Sequence, residues 1–197
     1  MIEIIAAIIG LIYLYFEYHA NAWMWVFGLI MQALYIYLFY INGVFANAAI
    51  NLLYGVMSIY GLLEWKGLLH QSAHREEKRI ESMPKKQWWV VIAIVALLTI
   101  PVALLLGNLE ESQVPWLDSL STTLSIAATW MLIHKYYQEW ILWMIVEPLM
   151  IAVGILTGMY ATALLYAVNL VVVLLGYRKW KKLFENQKTT QSHLSNY

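Results

Sequence analysis

Glu147 is the residue hardest to explain by solubility, because it sits in the middle of the apolar stretch Glu139–Leu156. If that stretch crosses a bilayer, a carboxylate at its centre costs about 2.5–3.5 kcal/mol on insertion scales. Such a group must face a bundle interior or a wet cavity. Pro148 follows at once and denies the helix one backbone hydrogen bond, which predicts a bend there. Trp140 and Trp143 precede Glu147 by seven and four residues, so all three share one helical face. This WxxW element can stack a planar ligand with the carboxylate one or two turns deeper. The competing reading makes Glu147 a protonated interhelical bond and Trp140 part of an interfacial aromatic belt.

Other polar residues fall inside apolar stretches. Gln32 lies near the middle of the second one, Asn51 and Tyr54 in the third, Tyr166 and Asn169 in the last. An amide in hydrocarbon needs a partner, so these serve either ligand contact or interhelical bonding. Thr122, Thr123, Ser125, Thr129 and Trp130 form a polar stripe that could equally be packing. Glu17, Glu64 and Glu139 lie near helix ends, where carboxylates are expected to reach water. His70 and His74 have the spacing of two metal ligands but no third, so no metal site is expected. There is no cysteine, no Gly-rich phosphate loop, no HExxH and no GxSxG. With no catalytic set in register and no cofactor motif, the chain does not read as an enzyme.

These residues need a scaffold, and composition says which kind. The chain has 197 residues, 62% hydrophobic and 12% charged, where soluble domains carry about 25% charged residues. Runs of about 20 apolar residues match the thickness of a bilayer. The fold class is therefore an all-α membrane protein with seven transmembrane helices. They are expected near 2–18, 21–40, 44–65, 88–107, 117–134, 139–156 and 160–178. The first lacks a basic leader and a cleavage site and reads as a mature span. All twelve Lys and Arg residues then fall on one side: Lys66, Arg75, Lys78, Arg79, Lys85, Lys86, Lys135, Arg178, Lys179, Lys181, Lys182 and Lys188. The other side holds Glu110, Glu111 and Asp118. By the positive-inside rule the N-terminus is outside and the C-terminus cytoplasmic. The basic C-terminus marks a cytoplasmic flank and not a nucleic-acid site.

The chain also repeats itself at an offset of 115. Trp25 falls on Trp140, Gly43 on Gly158, Ala46 on Ala161, Gly61 on Gly176, Trp65 on Trp180 and His19 on His134. Gln32 falls on Glu147. The organisation is thus 3+1+3: a first three-helix repeat over 1–65, a linker and connector helix over 66–116, a second repeat over 117–182 and a tail over 183–197. Four spans separate the starts of helices one and five, so the repeats are parallel. That arrangement occurs in SWEET-like transporters, where substrate sits midway between the halves. A receptor or accessory subunit that binds without transporting is the rival reading.

The stretch Trp25–Trp65, with GLIMQALYIYLFYINGVFANAAINLLYGVMSIYGLLEW, resembles the nicotinamide mononucleoside (PnuC) family of vitamin transporters. So does the stretch from Leu117, with DSLSTTLSIAATWMLIHKYYQEWILWMIVEP, GMYATALLY and GYRKW. The resemblance covers all but the Lys66–Gln87 linker and the end after Lys182. It implies facilitated diffusion of an unphosphorylated vitamin through a bacterial inner membrane, with a cytosolic vitamin kinase trapping the substrate. It also implies a homo-oligomer, a trimer in related carriers. Nicotinamide riboside is the family's usual substrate, and a branch called PnuT carries thiamine.

The sequence departs from the riboside pattern in two places. The position after Trp-x-x-Val is typically Asn, and here it is Glu147. The helix-two motif Ile-Asn-Val-Ala-Leu-Tyr has Met31 and Gln32 in place of Asn and Val. Both vitamins are cations, but a carboxylate also accepts from the amino group of thiamine's pyrimidine, while a ribose diol favours amides. Thiamine is therefore the expected substrate. The expected binding set is Glu147, Trp143, Trp140, Gln32, Asn51, Tyr54, Trp130, Tyr166 and Asn169.

Overall fold

A computed structural model describes residues 2–69, 79–109 and 112–194. Among the described residues there are seven α-helices: α1 (Ile2–Tyr18), α2 (Trp23–Ile41), α3 (Phe45–Trp65), α4 (Trp88–Asn108), α5 (Pro115–Ile133), α6 (Glu139–Leu156) and α7 (Tyr160–Leu194). The chain is an all-α membrane protein, as its composition requires. Five helical stretches are long and apolar enough to cross a bilayer by themselves: Trp23–Ile41, Phe45–Trp65, Lys85–Asn108, Glu139–Leu156 and Tyr160–Thr190. In α1 the segment Ile8–Tyr18 is a shorter apolar helix. Helix α5 falls outside that group because its serines and threonines dilute its hydropathy. Helix α4 is the most apolar, and most of its side chains are exposed, as suits a helix facing lipid.

One of the expected helices needs correction. Helix α7 does not stop near residue 178 but runs on to Leu194, because no proline or glycine follows Gly176 and Lys, Glu and Gln propagate a helix well. Helix α6 continues unbroken through Pro148.

The chain divides into two compact units. The first comprises Met1–Lys78 and Thr99–Ser119, the second Arg79–Leu98 and Leu120–Tyr197. In the first unit α2 packs on α1 and α3. Ser119 donates its hydroxyl to the Thr99 carbonyl, and Ser112 donates to the Asp118 carboxylate. In the second unit α6 packs on α7. Its core joins Met83 and Val91 to Leu124, Ala127, Ala128, Met131, Tyr136, Leu142 and Val146.

The offset of 115 residues reappears as local geometry. Trp25 meets Trp65 edge-on at 5.6 Å and 89°, and Trp140 meets Trp180 at 5.8 Å and 77°. Each pair closes over a glycine. A Cβ on Gly61 would lie 2.5 Å from the Trp25 ring, and one on Gly176 would lie 2.6 Å from the Trp140 ring. Gly43 and Gly158 turn the chain at φ +75° and +74°, a left-handed conformation that side chains disfavour. Ala20 and Lys135 adopt φ 53° and 54° without being glycine. His19 and His134 donate from Nδ1 to the carbonyls of Tyr15 and Trp130, both at 2.8 Å. Backbone turns, caps and core tryptophans thus coincide in one register.

Candidate functional site

In the first unit, Gln32 on α2 is half-buried beside α3. Gly55 of α3 leaves room for it, since a Cβ there would approach only the Gln32 Cβ, at 3.9 Å. The Gln32 Oε1 is buried without a hydrogen-bond partner. Asn51 does not bond across helices as its amide suggested. It donates from Nδ2 to the Asn47 carbonyl one turn back on its own helix, at 2.8 Å. Tyr54 is half-buried one turn further on, and its carbonyl accepts from Ser58 at 2.8 Å.

In the second unit, α6 carries the acid and the indoles. Glu147 is buried, 5% exposed, and its Oε2 has no hydrogen-bond partner. Pro148 cannot donate to the carbonyl of residue 144, so that carbonyl lacks its helical donor. Trp143 is partly buried against the core cluster that contains Ala128. Its Nε1 donates to Glu139 Oε2 at 2.7 Å. Trp140 is fully buried, with its ring against Trp180 and Gly176. Of the two tryptophans, Trp143 is thus the one that is partly exposed.

Two acids lie differently from expectation. Glu17 and Glu139 sit near helix ends but do not reach water, being 3% and 0% exposed. For Glu139, placement in the first turn of α6 favours a carboxylate through the positive end of the helix dipole. The spacing of Glu139 and Trp143, four apart on one helix, was the signal for their bond.

The α5 hydroxyls are largely satisfied by their own helix. Thr123 bonds the Leu120 carbonyl at 3.2 Å, Ser125 the Ser121 carbonyl at 2.8 Å and Thr129 the Ser125 carbonyl at 2.8 Å. Trp130 is partly buried and lies against His134, with ring centroids 4.8 Å apart, and against Tyr136 at 6.3 Å. Tyr166 and Asn169 on α7 are half-buried. His70 and His74 lie outside the described residues. Among the described residues no group of three or more His, Cys, Asp or Glu side chains gathers as metal ligands would.

Sequence reasoning also missed a clasp. Gln138, in the α5–α6 turn, accepts from the Met83 amide at 3.0 Å and donates to Ser82 Oγ at 2.8 Å. Beside it the Glu81 amide donates to the Lys135 carbonyl at 3.0 Å, and the Tyr137 amide donates to the Glu81 carbonyl at 3.1 Å. The end of the linker is therefore held on this turn. Burial pushes the Tyr136 phenol up, a hydrogen bond with Gln87 opposes this, and the Glu81 charge adds to it. The phenol stays neutral at physiological pH.

The two units also exchange bulk. At the repeat position of Trp143 the first unit has Gly28, and a Cβ there would lie 3.3 Å from the Tyr13 ring. The position equivalent to Tyr13 is Ala128, which is fully buried. An aromatic ring from the first helix in one unit thus stands where the second helix supplies one in the other.

An all-α membrane fold built on repeated local geometry, with a buried acid and a partly exposed indole on one apolar helix, defines the class of polytopic small-molecule carriers. Residues 1–182 match the family described as "Nicotinamide mononucleotide transporter", and the chain belongs to that family. It is a membrane transporter family, not an enzyme family. The chain is 26% identical over 176 residues to the nicotinamide riboside transporter PnuC of Escherichia coli (strain K12), covering 78% of this chain and 74% of that protein. It is 28% identical over 188 residues to the PnuC of Neisseria mucosa, covering 91% and 71%. It also resembles the crystal structure of the vitamin B3 transporter PnuC, with a TM-score of 0.71 and 27% identity. That match covers 92% of this chain and 80% of the other.

Proposed function

We propose that the chain takes up an unphosphorylated cationic B vitamin by facilitated diffusion, with alternating access of the kind repeat-built carriers use. The observation that carries the reading is Glu147. A carboxylate buried in an apolar helix with an unpartnered oxygen suits a ligand that brings a positive charge and a donor of its own. Trp143, one turn before it, offers a ring face to a planar cation. Gln32, whose Oε1 is likewise an unpartnered acceptor, suits the same donor-bearing ligand. Trp140, Asn51, Tyr54, Trp130, Tyr166 and Asn169 complete the proposed binding set.

Thiamine fits Glu147 best, since its thiazolium supplies the charge and its aminopyrimidine the donor. Nicotinamide riboside is the second reading. It is favoured by the relatives, whose names give it as their substrate. The rest of the proposal concerns the setting. All Lys and Arg residues flank one side, so the N-terminus is outside and the C-terminus cytoplasmic in a bacterial inner membrane. The repeats span 1–65 and 117–182, joined by 66–116 and followed by 183–197. A homo-oligomer, a trimer by analogy, feeds a cytosolic vitamin kinase.

Calorimetric binding of thiamine and of nicotinamide riboside to the purified protein tests the substrate. Tighter thiamine binding supports the first reading, and riboside binding without thiamine competition overturns it. Uptake into proteoliposomes separates a carrier from a receptor: ligand bound but never accumulated would sink the transport proposal.

A further inference from the structure

The stripe of α6 that carries Trp143 and Glu147 holds one more acid, Glu139, two turns before Glu147. It is fully buried, and its Oε2 accepts the Trp143 indole N–H at 2.7 Å. A bond from an indole to a carboxylate is charge-assisted and about twice as strong as a neutral one. Burying a carboxylate is otherwise costly, so its presence requires a reason.

The repeat provides an internal control. The first unit has Met24 where the second has Glu139, and Gly28 where the second has Trp143. Met24 is as buried as Glu139, both 0% exposed. The surrounding hairpins close alike, Trp25 on Trp65 over Gly61 and Trp140 on Trp180 over Gly176. A thioether therefore suffices for the hairpin, and the acid occurs in the unit that has the indole to hold.

We infer that Glu139 is a positioning residue that fixes the plane of the Trp143 ring for the ligand held at Glu147. The terminal torsion of a tryptophan side chain is broad, and one strong bond at Nε1 selects a single ring orientation. Side chains on a helix lean toward its N-terminus. Trp143 thus leans back over the turn that carries Glu139, and Glu147 leans over the turn that carries Trp143. The acid at the base holds the ring, and the acid above it meets the ligand. This inference rests on the binding role proposed for Trp143 and Glu147.

The test uses the full chain in nanodiscs with four variants: Glu139→Met, which copies the first unit, Glu139→Gln, which keeps an acceptor, Trp143→Phe, and the Glu139→Met/Trp143→Phe double variant. Thiamine and nicotinamide riboside are the probes. Glu139→Met should weaken binding on the order of tenfold, as loss of a charge-assisted bond implies, and Glu139→Gln should restore most of it. In the Trp143→Phe background Glu139→Met should change nothing further. The indole N–H resonance of Trp143 should shift in Glu139→Met and stay near its original position in Glu139→Gln. Equal weakening by Glu139→Met in both backgrounds overturns the inference, as does wild-type affinity in Glu139→Met. A Glu139→Met protein that does not fold also overturns it, because Met24 fills this position in the first unit. Wild-type affinity in Trp143→Phe would instead overturn the binding role of Trp143 itself.

Discussion

Trp25 stands edge-on to Trp65 with ring centroids 5.6 Å apart, and the missing side chain of Gly61 leaves the space in which the Trp25 ring lies. The same arrangement recurs 115 residues later with Trp140, Trp180 and Gly176. A methyl group at either glycine would press on a fully buried ring. Gly61→Ala and Gly176→Ala should each destabilise the protein by about 1–3 kcal/mol through overpacking. Thermal unfolding in detergent checks this. Gly55→Ala is the contrast, because its Cβ would meet Gln32 at an ordinary 3.9 Å, and it should leave the melting temperature unchanged or higher.

Glu147→Gln removes charge while keeping size. If the carboxylate serves a cationic ligand, affinity should fall about tenfold or more, the scale of a lost bond to a charged group. Folding should be unaffected or improved, since a buried charge is removed. Titration calorimetry paired with a melting curve separates the two effects. Unchanged affinity with lowered stability would make Glu147 a structural bond.

At Gly43 the cost of substitution is purely conformational. Its φ is +75°, and a Cβ added there would meet no atom within 4 Å. Gly43→Ala should therefore cost about 1–2 kcal/mol, and Gly43→Asn less, because Asn tolerates the left-handed region. Ala20 lies at φ 53° without being glycine, so Ala20→Gly should be neutral or stabilising. Unfolding measurements on the three variants check the ordering.

Gln138 holds the linker through two bonds, to the Met83 amide and to Ser82. Gln138→Leu strands a buried amide and should cost about 1–3 kcal/mol. Hydrogen exchange at Met83 should accelerate, while exchange within α2 and α3 stays as it was. An unchanged Met83 rate would show that the bridge between Glu81 and the α5–α6 turn holds the segment alone.

What was legible in the sequence followed from short-range rules. Apolar runs located the helices within a few residues except at the end of α7, and paired tryptophans and glycines exposed the repeat. The isolation of Glu147 among apolar residues marked the candidate site. The rest depended on side chains meeting at long range or on exact depth. Glu17 and Glu139 look solvated by position, yet both are buried. The grip of Gln138 on Ser82 and Met83 joins residues more than fifty positions apart, and no periodicity announces it. Tyr13 over Gly28 is similar: the missing side chain is visible in the sequence, but not the ring that takes its space. Asn51 bonds its own helix, which serves an amide as well as bonding a neighbour.

Helix α7 runs for 35 residues without a break, a length of about 52 Å at roughly 1.5 Å per residue. The hydrocarbon core needs only about 30 Å of it. Roughly 20 Å of stiff rod therefore stands clear of the lipid, beginning near the basic cluster Arg178, Lys179, Lys181 and Lys182. A 22.8 kDa membrane protein offers little for particle alignment in electron microscopy. Joining a helical fiducial in phase with this rod, just past Thr190, would give it a rigid external handle.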